Sequence, residues 1–141
     1  MSCFFFDNCI SDKIVEILKL AGAEAVDKTQ LIHIKDVAEL ASKRGRGAAD
    51  VDWIPLVAEK SWIAVTVDKR VKRNEDERAL IASTGIRLVH IAGGYERLKI
   101  WDQVVYFVQH WPGIQSHTWK CKAGAQFLVS AHGKVTEDAR K

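Results

Sequence analysis

Trp62-Ile63-Ala64-Val65-Thr66-Val67-Asp68 is the stretch that decides how this 141-residue chain is read. It is a short apolar run, rich in β-branched residues, that stops on a carboxylate. A run of this kind bounded by charged residues reads as a strand buried on both faces, the pattern of a parallel sheet. Open parallel sheets bind ligands beyond the carboxyl ends of their strands, where Asp68 would sit. Cys3-Phe4-Phe5-Phe6-Asp7 is a second apolar run with the same ending. Two strands would thus deliver one Asp each to the same sheet edge, which makes a candidate divalent-metal site.

Working outward, Ser11 can cap a helix that carries Ile14, Ile17, Leu18 and Ala21 on one face and stops at Gly22. Leu31 to Ile34 reads as a strand, and Asp36 can cap a short helix from Val37 to about Lys43. Lys43-Arg44-Gly45-Arg46-Gly47 is either a solvated connection or a phosphate-contacting loop. A further helix carries Trp53, Ile54, Val57 and Ala58 inward, with Asp52 as its N-cap and Pro55 in its first turn. After the central strand, Lys69-Arg70-Val71-Lys72-Arg73 is the densest basic run in the chain. Asn74 and Glu77 have the spacing of a capping box for a helix that ends at Gly85, and Ile86 to Ile91 reads as a fourth strand. Leu98, Trp101, Val104, Val105 and Val108 mark a long amphipathic helix stopped by Pro112-Gly113. Gln126 to Val129 with His132-Gly133-Lys134 reads as a terminal hairpin.

Alternation of this kind predicts an α/β fold: one three-layer domain over 1–141, with a parallel sheet of four to five strands flanked by helices. Its core spans about residues 3–111, and a hairpin tail covers about residues 115–141.

The composition excludes several classes. With 48% hydrophobic and 28% charged residues, the chain is an ordinary globular one, and its net charge of +3 permits a nucleic-acid partner without demanding one. No apolar run reaches the length of a membrane span, and the start lacks the pattern of a signal peptide, so a cytoplasmic protein is expected. Cys3, Cys9 and Cys121 form no Cys-x-x-Cys pair, and the five histidines lack zinc-ligand spacing. There is no Gly-x-Gly-x-x-Gly, Walker loop or Gly-x-Ser-x-Gly. What remains is carboxylates at strand ends beside a basic run. Converging carboxylates repel one another unless a cation lies between them, and hard cations such as Mg²⁺ or Mn²⁺ prefer oxygen ligands. Such a site can activate water and neutralise charge at a phosphodiester. The competing reading of each Asp is a turn-forming cap. His33 reads as a satisfied strand histidine, Trp53, Trp62, Trp101 and Trp111 read as core, and Trp119 is the one tryptophan considered for base stacking.

Phe5-Phe6-Asp7-Asn8, Asp50-Val51-Asp52-Trp53-Ile54 and Val65-Thr66-Val67-Asp68-Lys69-Arg70-Val71-Lys72-Arg73 resemble the PIN-like domains of prokaryotes. The later strand to Ile91 and the hairpin from Phe127 to Lys134 fit the same pattern. The resemblance implies a metal-dependent ribonuclease fold, and many such proteins are toxins held in check by an antitoxin. Carried over by position, it implies that Asp7, Asp50 and Asp68 are the catalytic acids and metal ligands, with Asp50 favoured over Asp52. Asp12 and Glu77 are lesser candidates, read first as a helix-dipole residue and a capping residue. Lys69, Arg70 and Arg73 would contact RNA phosphates. Here the chain departs from the family pattern: Val89-His90-Ile91-Ala92-Gly93-Gly94 offers no further acid, so the site has three acids or draws on His90 or Asp12. The expected activity is a Mg²⁺- or Mn²⁺-dependent endoribonuclease; the alternative is a non-catalytic module that binds a partner protein or RNA. A homodimer through the Leu98–Val108 helix is a further expectation.

Overall fold

A computed structural model of the chain describes residues 2–40 and 49–138. The elements run β1 (Ser2–Phe6), α1 (Asp12–Leu20), β2 (Thr29–His33), α2 (Asp50–Glu59), β3 (Ile63–Val67), α3 (Glu75–Thr84), β4 (Arg87–Ile91), α4 (Ile100–Thr118), β5 (Gln126–Val129) and β6 (Val135–Glu137). They form one six-stranded sheet in the order β2-β1-β3-β4-β5-β6. The pairs from β2 to β5 are parallel, and β6 returns antiparallel to β5. The α/β, helix-flanked sheet with a closing hairpin is as the sequence predicts, with β5 completing the parallel set.

The strand sequences specify both faces at once. Phe4, Phe6, Val65, Val67, Val89 and Ile91 pack under α1 and α4, whereas Phe5, Ala64 and Leu88 point into the α2–α3 side with Trp53, Ile54 and Val57. Alternation at period two across apolar residues on both sides is what makes the sheet the middle layer. Ser11 caps α1, accepting from Lys13 N at 3.1 Å. Asn74 and Glu77 form both halves of the capping box of α3, at 2.8 and 3.3 Å. Gly133, at φ 83°, sits where a Cβ would lie 2.1 Å from His110 Nδ1, so glycine lets the β5–β6 turn close against α4.

Four local expectations are corrected. The short helix from Val37 is a pair of 3-10 turns, over Ile34–Asp36 and 38–40, and its remainder lies outside the described residues together with the basic Lys43–Gly47 stretch. Helix α2 starts earlier than the proline suggests: Ala49 is its N-cap and Asp52 is the third helical residue, accepting from Ala49 N at 3.0 Å. Pro55 therefore lies past the first turn. Its missing N–H would have paired with the Val51 carbonyl, and Val51 is exposed, so water can take that bond.

For the same reason Pro112-Gly113 does not stop α4, since Val108 is solvent-facing and Ile114, Gln115 and Thr118 beyond are fully buried. The buried stripe of α4 is also not the aliphatic one. Tyr106, Phe107 and Trp111 turn inward, while Trp101 is 76% exposed and Val105 and Val108 are about half exposed. Two apolar stripes compete on this helix, and the aromatic one removes more area from water.

Gln115 ties α4 to the start of β2. Its side-chain carbonyl accepts from Trp111 Nε1 at 2.7 Å, and its amide donates to Val26 O and Thr29 Oγ1, both at 2.9 Å. Gln115→Leu keeps the volume but strands the buried indole N–H of Trp111 and removes the amide donor to Ala23 O, Val26 O and Thr29 Oγ1. A loss of about 2–4 kcal/mol in denaturant unfolding is expected, with no change in m-value. A loss below about 0.5 kcal/mol would show that the tether is dispensable.

Candidate functional site

The sheet changes direction between β1 and β3: the chain winds from β1 to β2 on one side and continues from β3 to β4 on the other. A crevice is required beyond the carboxyl ends of such strands. It is present as an open cleft of about 590 Å³, bordered by Asp7, Cys9, Asp50, Lys69, Arg73 and Glu77.

Asp7 follows β1 directly and is 3% exposed. Its Oδ1 accepts from Asn8 N at 2.6 Å, and its Oδ2 accepts from Thr66 Oγ1 at 3.0 Å. Cys9 adds a weak donor to the same oxygen at 3.6 Å, and its sulfur accepts from Val67 N at 3.3 Å. Burial, reinforced by the Asp7 charge, pushes the Cys9 thiol up to about 11. It is therefore a protonated donor at neutral pH and not a nucleophile. Asp50, 8% exposed, is brought to the cleft as the first residue of α2, where the helix N-terminus favours negative charge.

The two acids converge on one cation supplied by the chain itself. Lys69 Nζ lies 3.3 Å from Asp7 Oδ2 and 3.5 Å from Asp50 Oδ1. Burial works against the ammonium, but the charges of Asp7 and Asp50 outweigh it and raise its proton affinity above the ordinary lysine value. Arg73 Nη1 holds the other Asp50 oxygen at 2.5 Å. Arg73 is 3% exposed, and its Nε and Nη2 have no hydrogen-bond partner among the described residues.

The remaining sequence candidates are placed elsewhere or at the rim. Asp68 turns away from the cleft to Arg70, whose Nε it accepts at 3.0 Å, and Arg70 Nη1 reaches Asp138 at 2.7 Å. Burial alone would raise the Asp68 carboxyl; the hydrogen bonds and charge of Arg70 outweigh it and hold it below the usual carboxylate range. Asp12 pairs with Lys35. Asp52 serves the start of its own helix, and Glu77 caps α3 at the rim of the cleft. Among the described residues no group of three or more His, Cys, Asp or Glu side chains is arranged to hold a metal ion. The acids form a pair, Asp7 with Asp50, and not a triad.

Two neighbours of the pair were hidden in the sequence. Thr66 was visible as part of the Thr-Val-Asp element but not as the donor to Asp7. Cys9, two residues past Asp7, carried no signal. His33 is satisfied, with Nε2 at 2.7 Å from Ile10 O and Nδ1 accepting from Lys35 N at 3.1 Å. Trp119 packs at the core margin with Lys120 Nζ 4.6 Å over its ring.

His90 is fully buried beside the Arg70–Asp68 pair, with Nε2 at 3.2 Å from Gln126 Oε1. Desolvation lowers it from 6.5 to about 4. Above pH 6.5 the ring is neutral whether the chain is folded or unfolded; as pH falls toward 4, the unfolded chain takes up a proton that the folded chain refuses. Stability should therefore fall over that window by an amount on the order of 3 kcal/mol, and His90→Gln should flatten the dependence in urea unfolding. An unchanged slope in the variant would assign the acid sensitivity to other groups.

Among the described residues no helix is long and apolar enough to cross a membrane. Residues 2–93 match a family model described as a PIN like domain. No curated protein and no solved structure is matched by the chain.

Proposed function

The chain belongs to the PIN-like domain family, a nuclease-type superfamily whose members generally use divalent metals, and we propose that it hydrolyses RNA phosphodiester bonds with Mg²⁺ or Mn²⁺ held by Asp7 and Asp50. The observation that carries this reading is the convergence of both carboxylates on a single cation, Lys69 Nζ, at the switch point of the sheet. Two carboxylates bordering an open cleft suit Mg²⁺, which retains several waters and binds through one or two protein carboxylates plus substrate phosphate. The donor set therefore fits, provided that the Lys69 ammonium gives way. When bound, such an ion supplies an activated water and neutralises charge on the phosphate.

The chain's own groups do the rest. Asn8 N and Thr66 Oγ1 fix the Asp7 carboxylate, and the start of α2 with Arg73 fixes Asp50. Lys69, on a half-exposed side chain, would swing from the acids toward a phosphate in the cleft, and Lys72 on the same wall would add to the field that attracts RNA. Asp68, paired with Arg70 outside the cleft lining, is given no metal-binding part in this reading.

A second reading, a non-catalytic module for a partner protein or RNA, is favoured by the neutralisation of Asp7 and Asp50 within the chain by Lys69 and Arg73. An antitoxin-type protein or a second copy would have the exposed apolar side chains of Ile100, Trp101, Val105 and Val108 to cover.

Two experiments separate the readings. With single-stranded and structured RNA and Mn²⁺, the wild type should cleave and Asp7→Asn should lose about a hundredfold or more in rate, with both proteins equally folded by circular dichroism. No cleavage by the folded wild type would favour the binding module. In calorimetric titration, Lys69→Met should bind Mn²⁺ about tenfold more tightly than wild type, because a competing cation has been removed. Equal or weaker binding would show that Lys69 does not occupy the metal's position.

A further inference from the structure

On the far side of Arg73 from the acidic cleft lies a larger cavity of about 870 Å³, walled by α3, the turn before β5 and the end of β6. Arg73 borders both spaces. Three arginines, Arg70, Arg73 and Arg78, and one acid, Asp138, are its charged lining, so guanidinium groups are the main polar feature of the space. Arg70 is engaged by Asp68 and Asp138 and serves as a fixed wall. Arg73 is different. Its Nη1 is committed to Asp50, but Nε and Nη2, the edge that meets a phosphate or carboxylate in two parallel bonds, are buried and without a partner among the described residues. A buried, incompletely satisfied guanidinium is costly unless something completes it. Arg78 is anchored beside it by donating Nη1 to the Arg73 carbonyl. Gln126 accepts from His90 through Oε1, which leaves its amide N–H group for another acceptor.

The rest of the wall is apolar and shallow. Ile81, Ala82 and Ala123 line it with two glycines, where a Cβ on Gly124 would meet nothing within 4 Å and one on Gly85 would meet only Ala123 Cβ, at 3.9 Å. A flat ring can lie there. A phosphate-matching guanidinium beside a ring-sized apolar shelf has the chemistry of a nucleotide subsite.

We propose that this cavity binds one nucleoside monophosphate unit, its phosphate on Arg73 and Arg78 and its base against the Ala123–Gly124 shelf, as the neighbour of the phosphodiester held in the acidic cleft. The identity of the ligand rests on the nuclease reading; its binding can be measured without turnover. The shared Arg73 wall then sets one nucleotide step between the two sites, with the same side chain contacting Asp50 and the adjacent phosphate.

The test is calorimetric titration of AMP and of inorganic phosphate into metal-free protein in EDTA. Wild type and Asp7→Asn should bind AMP equally, and AMP should bind at least about tenfold more tightly than phosphate because the shelf contributes. Ala123→Trp, which fills the shelf from an exposed position, and Arg78→Gln, also exposed, should each weaken AMP binding by about tenfold or more. Circular dichroism should find both variants folded, so that loss of binding is loss of the site. AMP affinity equal to that of phosphate, unaffected by Ala123→Trp, or lost in Asp7→Asn would overturn the proposal, as would no binding by wild type at millimolar AMP. If RNA is not cleaved but AMP binds with this variant pattern, the nuclease reading falls and the subsite stands.

Discussion

Two carboxylates cannot be buried side by side at the end of a parallel sheet without a positive charge between them. Asp7 and Asp50 come from elements fixed by independent cores, Asp7 from the strand between the two faces and Asp50 from the first turn of the helix packed by Trp53 and Ile54. Their mutual repulsion falls on the loop that follows β3, which answers with Lys69 and Arg73. Without a cation, that repulsion would go uncompensated at a buried sheet edge. The basic run 69–73 thus has a structural duty before it has any duty toward a substrate.

The two cations differ in what they permit. Arg73 is locked within the protein and has a planar, permanently charged fork. Lys69 is a point charge on a flexible stem at the margin of the cleft, with more than a third of its side chain exposed. An arginine in its place would hold both acids more rigidly; a lysine can leave. The pair therefore divides the work between a buried support for Asp50 and a partly exposed counter-ion shared by both acids.

How much of this was legible in the sequence follows from where the information resides. Strands β1 and β3 announce themselves because Phe4-Phe5-Phe6 and Ile63-Ala64-Val65 must be apolar on both faces, and Asn74 and Glu77 announce α3 because a capping box is local. Asp7 is legible from its place at the end of its strand, whereas Asp50 follows from the family resemblance, three residues before Trp53. The fate of Asp68 was not legible, since its partner Arg70 is joined to Asp138, a residue from the far end of the chain. Nor was the course of α4: Pro112-Gly113 looks like a stop locally, and the buried contacts of Trp111, Ile114 and Gln115 show the helix continuing through it. Cys9 and Thr66 illustrate the same limit, because their contacts with Asp7 depend on the β1–β3 register.

The place now taken by the Lys69 ammonium is, in the function we propose, a divalent-cation site. The most direct measurement is a crystal structure of the wild-type protein grown with Mn²⁺, with data collected at the manganese absorption edge. The account predicts one anomalous peak about 2.1–2.2 Å from a carboxylate oxygen of both Asp7 and Asp50, with Lys69 turned into the cleft. A refined structure at millimolar Mn²⁺ with no peak there, and with Lys69 Nζ still between the two acids, would contradict it.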